Sequence, residues 1–154
     1  MKKIRKFLRL SQKEQLLFMY AVVILGMVTV GLRILPWIVL QQKLLKLAHW
    51  SSKFVSARRP PANLITWIIK VAGALIPKAT CLPQALAAQF MLVQNAYPVE
   101  LKIGITRNDD GILKAHAWVT SEGGILIGGV QDLDHFVPLS AMHRQGLEDY
   151  GKAV

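Results

Sequence analysis

Hydrophobic and polar positions alternate on two different periods in the two parts of this chain. Residues 1–10 are a basic, amphipathic lead-in. Ser11-Gln12-Lys13-Glu14 follows as a capping box, with serine at the cap and glutamate three positions on, directly before an apolar run. The helix so begun is expected to continue to about Leu35, where Pro36 stops it. From Leu16 to Leu32, seventeen consecutive residues carry no charge, the lower edge of what crosses a bilayer. Two readings of this segment stand: a helix buried against a second helix over Gln41–Ala57, or a span with its basic N-terminal side in the cytoplasm. It does not read as a signal peptide, because the run is long and no small-residue cleavage site follows it.

Arg58-Arg59-Pro60-Pro61-Ala62-Asn63 interrupts the helical pattern and divides a helical region, residues 1–60, from a core at 61–154. A helix from about Leu64 to Leu75 comes next, then one from Cys81 to Gln94, with Asn95 as a left-handed C-terminal cap. Beyond Pro98 the period shortens to two. Val99–Ile105 and Leu113–Thr120 read as half-buried strands around a turn at Asn108-Asp109-Asp110-Gly111. Glu122-Gly123-Gly124 turns into a third strand, Ile125–Val130, and Phe136-Val137-Pro138-Leu139 forms a short edge strand. Helices followed by an antiparallel meander give an α+β fold.

Charge sharpens the division. Residues 1–80 hold fourteen Lys and Arg against one acid, a balance of +13, whereas residues 81–154 hold five against eight, a balance of −3. A basic, apolar half suits an anionic membrane surface or an acidic partner. No interleaved aromatic and basic pattern marks a nucleic-acid reader, and nucleic acid is not expected as a partner. The four histidines are scattered and the chain has one cysteine. This excludes an internal disulfide, argues against a metal site or other cofactor, and fits a reducing, cytoplasmic compartment.

That cysteine, Cys81, carries the candidate chemistry. Pro83 and the Ala- and Leu-rich stretch after it place Cys81 in the first turn of a helix. Such an end presents unpaired N–H groups and a partial positive charge, where an anionic nucleophile is at home. A base must come from elsewhere in the fold, and His116 lies 35 positions on, in a strand. His116 and Trp118 share one face of that strand, so the indole could wall a substrate pocket. An acceptor behind the imidazole would fix its tautomer. Asp132 is the first candidate and Asp134 the second. A hairpin turning at Gly123-Gly124 sets residue 131 opposite His116, one turning at Glu122-Gly123 sets Gly129 there, and a bulge at Gly128-Gly129 would bring Asp132 round. A backbone carbonyl or a water could serve instead. Against these roles stand plainer ones: Cys81 as a small buried hydrophobe, His116 as a satisfied sheet histidine, Trp118 as core, and the aspartates as solvated loop groups.

Cys81-Leu82-Pro83-x-Ala85-Leu86, Ile103-Gly104-Ile105 and Ala115-His116-Ala117-Trp118-Val119 together resemble the transglutaminase-like cysteine protease of lasso peptide biosynthesis. The basic helix ending in Leu35-Pro36-Trp37 is similar too. The resemblance implies a papain-like, transglutaminase-type core, with a nucleophile helix packed on an antiparallel sheet. It implies a peptidase that removes the leader from a ribosomally made precursor peptide before an ATP-dependent lasso cyclase closes a macrolactam. Cys81 and His116 match the family motif. Where members often carry an acid about a dozen positions after the histidine, this chain has Gly128. Its length resembles the split form, which works with a separate leader-recognition protein. The basic half would then dock that protein, the cyclase or the inner face of the membrane. Acyl transfer to an amine at the same site and a non-catalytic, membrane-associated adaptor are the competing expectations.

Overall fold

The computed structural model describes residues 11–54, 59–107, 111–131 and 133–139. Helix α1 covers Gln12–Ile34, α2 Trp37–Ser52, α3 Ala62–Gly73 and α4 Cys81–Gln94. Strands β1 (Glu100–Arg107), β2 (Leu113–Ser121) and β3 (Gly124–Ile127) follow, then a 3-10 turn at Leu133–His135 and the short β4 (Val137–Pro138). The fold is α+β: a helical N-terminal portion, then the helix that begins at Cys81, packed on an antiparallel sheet ordered β3-β2-β1-β4.

The capping box forms as the sequence implies. Glu14 N–H donates to Ser11 Oγ at 3.4 Å, and Ser11 N–H donates to Glu14 Oε2 at 2.8 Å. The backbone N–H of Ser11, and then its hydroxyl, hold the Glu14 carboxyl below its ordinary range. A carboxylate whose folded pKa is depressed adds stability above its unfolded pKa and loses it as pH falls through the folded one. Ser11→Ala is therefore expected to lower the urea midpoint at neutral pH, and the gap to wild type is expected to close in acid. Denaturation curves at the two pH values check this.

Helix α1 is apolar on both sides. Phe18, Ala21, Ile24, Leu25 and Val28 are buried, and the helix packs chiefly on α3 and α4 rather than on α2, the partner expected from the sequence. Its outward side keeps Leu16, Val23, Met27, Val30 and Ile34 exposed. By length and composition α1 could cross a membrane, with a mean hydropathy of 2.1 in its most apolar window; a buried core helix or a signal sequence would pass the same test.

Helix α2 starts at Trp37, four residues earlier than the pattern suggests, because Pro36 takes the N-cap position instead of ending structure altogether. Helix α4 is nearly enclosed: nine of its residues, from Pro83 through Leu92, are buried between α1, α2, α3 and the sheet. Its bounds match the sequence reading. The left-handed residue after it is Ala96 (φ 58°), not Asn95, whose φ is −91°. Asn95 instead turns inward, and its side-chain amide donates to the Met91 carbonyl at 2.8 Å.

In the sheet, β1 and β2 pair along their whole lengths, with Gly104 opposite His116. The β2–β3 hairpin turns on Glu122 and Gly123, both at positive φ, so Ser121 faces Gly124. One irregularity interrupts this ladder: Val119 faces Ile127 while Thr120 faces Ile125, leaving Leu126 as the extra residue. The bulge thus falls earlier than Gly128-Gly129, and strand β3 ends at Ile127. Val137–Pro138 pairs with β1 at the opposite edge, the short edge strand anticipated there. The turn expected at Asn108-Asp109-Asp110 lies outside the described residues.

Candidate active site

Cys81 is the first residue of α4. Thr80, at the cap position, makes no side-chain hydrogen bond to the helix. Gln84 N–H reaches the Thr80 carbonyl, so α-helical pairing begins only there. The N–H groups of Cys81 and Leu82 precede the first intrahelical donor, and Pro83 has none. The helix start therefore offers donors beside a half-buried thiol.

Packing of α4 on β2 brings a second group to this end. Ala117 and Val119 are buried on the face toward the helices, whereas His116 lies at the margin. Cys81 and His116 line one cleft of about 260 Å³, together with Lys70 of α3, Gln84 and Ala85 of α4, and the stretch from Ile127 to Val130. Among the described lining residues Lys70 is the one side chain with a fixed charge.

The imidazole is held from behind. His116 Nε2 lies 2.6 Å from the Gly128 carbonyl oxygen. A carbonyl can only accept, so Nε2 carries the proton and donates, which leaves Nδ1 with the lone pair in the neutral ring. Trp118 stacks at a centroid distance of 6.3 Å and Phe136 lies tilted at 5.5 Å. Both rings pack beside the imidazole.

Gly128 makes this arrangement feasible. Its φ is +82°, and a Cβ built there would lie 2.6 Å from the Ala117 carbonyl oxygen and 2.9 Å from Trp118 Cα. Only a residue without a side chain can follow this path against strand β2. The acceptor behind His116 is thus a backbone carbonyl, the alternative to the aspartates Asp132 and Asp134.

The sequence-derived residues are distributed as follows. Cys81 and His116 come together. Trp118 is buried behind the histidine and does not line the cleft. Asp134 is exposed on the Leu133–His135 turn and also stands outside the lining. Asp132 lies outside the described residues. No group of three or more His, Cys, Asp or Glu able to hold a metal occurs among the described residues. Lys70 was not legible in the sequence, since only the packing of α3 against α4 and β3 sets it near Cys81. Gln84 is a second addition. Its Nε2 donates to the Ala79 carbonyl at 2.7 Å, tying the helix to the segment just before the cysteine.

The profile of the Transglutaminase-like superfamily matches residues 23–141. The chain belongs to this superfamily. The match begins within α1 and continues past β4, so it takes in all four helices at least in part, the sheet and both Cys81 and His116. No curated protein and no solved structure matches the chain significantly.

Proposed function

We propose that this transglutaminase-like protein is a cysteine peptidase that hydrolyses one amide bond of a ribosomally made precursor peptide, freeing the amine that a lasso cyclase later uses. The observation that carries the reading is the shared cleft of Cys81 and His116, with the imidazole's Nε2 committed to the Gly128 carbonyl. The sequence resemblance in the Cys81 and His116 blocks supports the substrate class, and superfamily membership supports acyl chemistry at a thiol.

In the proposed reaction His116 Nδ1 takes the Cys81 proton as sulfur adds to the scissile carbonyl. The oxyanion forms at the N-terminus of α4, where a backbone N–H can receive it; one such donor is typically worth about 3 kcal/mol. Collapse breaks the C–N bond, and the imidazolium gives its proton to the leaving amine. A thioester to Cys81 remains. Water, deprotonated by the same histidine, then hydrolyses it and restores the thiol. The Gly128 carbonyl keeps the ring oriented through both proton transfers but, being neutral, offers the imidazolium less than a carboxylate would.

Mass spectrometry of a cognate precursor incubated with the chain and its leader-recognition protein tests this. Two fragments whose masses sum to the precursor plus one water are expected. Fragments joined to an added amine, with no water gained, would assign the site to acyl transfer. An unchanged precursor with both proteins present would count against the peptidase reading and favour the adaptor.

A further inference from the structure

At the end of α4 remote from Cys81, three helices are tied together by side chains. Tyr20 of α1 donates to Gln94 Oε1 at 2.9 Å, and Gln94 Nε2 donates to Ser51 Oγ of α2 at 3.0 Å. The N-terminal part of α1 and the C-terminal end of α2 therefore meet at one end of the helical layer. This end is conspicuously apolar. Leu16 is 71% exposed, Trp50 61% and Phe54 75%, and the rings of Trp50 and Phe54 meet edge-to-face at 5.3 Å. It is also basic: Lys13, Lys46 and Lys53 are exposed, and the ten residues that precede Ser11 in the sequence hold five Lys and Arg and no acid.

We propose that this end of the helical layer is a docking surface for an anionic lipid bilayer, on which the protein lies peripherally. Exposed aromatic residues flanked by lysines are the pairing that suits the headgroup boundary, where rings sit among the acyl-chain ends and ammonium groups meet lipid phosphates. The charge argues against a second copy of this chain as the occupant. Lys13, Lys46 and Lys53 outnumber Glu14 at this end, and self-association through it would bring two net positive surfaces together. Spanning by α1 is disfavoured by its other face, since Phe18, Ala21, Leu25 and Val28 are buried against the rest of the fold and would have to be stripped from it.

The geometry also orients the site. Cys81 and Gln94 stand at opposite ends of α4, about 20 Å apart at 1.5 Å per residue. A protein held at the Gln94 end presents its cleft away from the bilayer, open to a peptide arriving from solution.

The test is flotation of the full chain with vesicles of phosphatidylcholine alone or with added phosphatidylglycerol, at low and high salt. Partition into the anionic vesicles, reversed by salt, is expected. The double variant Trp50→Ser/Phe54→Ser is expected to bind about tenfold more weakly or worse. Its circular dichroism and melting temperature are expected to match wild type, since both rings are exposed. Equal partition into neutral vesicles, or full binding by the variant, would overturn the proposal. So would retention after alkaline carbonate washing, which would indicate insertion. Absence of vesicle binding with a dimer in sedimentation velocity would assign the surface to a second copy.

Discussion

Cys81→Ala is expected to lower kcat/KM for precursor cleavage by about 10⁴-fold or more, because it removes the atom proposed to form the acyl-enzyme. Cleavage is read by mass spectrometry against wild type under identical conditions. The same variant is expected to change the melting temperature little, since the thiol is only half-buried at a helix start and alanine is a good helix former. Separation of the two readouts gives the experiment its force. A variant that melts normally and does not cut assigns the thiol to chemistry. One that cuts like wild type leaves Cys81 as packing and removes the basis of the peptidase reading. A leader fragment found thioester-linked to wild type after an acid quench, and absent from the variant, would add direct evidence for the acyl-enzyme.

Gly128→Ala is expected to be the most damaging single substitution away from the reacting atoms. Positive φ costs an L-residue about 1–2 kcal/mol. The added Cβ would also overlap backbone of β2, at 2.6 Å from the Ala117 carbonyl oxygen. Backbone cannot rotate aside as a side chain does, and such overpacking typically costs about 1–3 kcal/mol more. A total loss of about 2–5 kcal/mol is expected in urea denaturation. Where the variant still folds, moving residue 128 away from β2 lengthens the bond to His116, so kcat should fall while KM is less affected. Gly129→Ala is the control. Its Cβ would meet nothing closer than Ile125 Cγ2 at 3.5 Å, and its φ is not positive. A Gly128→Ala protein with wild-type stability and rate would refute the role assigned to this residue.

Much of the architecture was legible because local signals and global packing agree. Helix α4 was bounded correctly at both ends, since Pro83 marks its first turn and Asn95 its last carbonyls. The hairpin around Gly123 was legible for a similar reason, although two registers remained open until Ser121 was seen opposite Gly124. Elsewhere sequence signals were ambiguous in physical terms. Pro36 both ends one helix and caps the next, so the hydrophobic pattern alone suggests a start at Gln41 rather than Trp37. Asparagine is favoured at positive φ, yet here Ala96 adopts it while Asn95 finds a buried partner. The site divides in the same way. A cysteine and a histidine could be named from their elements, whereas the acceptor behind the histidine depends on where a strand bulges. One extra residue, Leu126, fixes that, and nothing in its identity announces it. Lys70 was equally silent, because its neighbours come from helix packing.

The pairing of His116 with a peptide carbonyl changes how this site can fail. A carboxylate partner is encoded by one codon and can be lost by one substitution, whereas every amino acid carries a carbonyl. The contact is therefore exposed to mutation only through the path of the chain, chiefly at Gly128 and in the hairpin that delivers it. Variation among relatives that keep this arrangement should accordingly concentrate on side chains around the histidine and spare the spacing between β2 and Gly128. Insertions or deletions there would silence the site even with every named side chain intact.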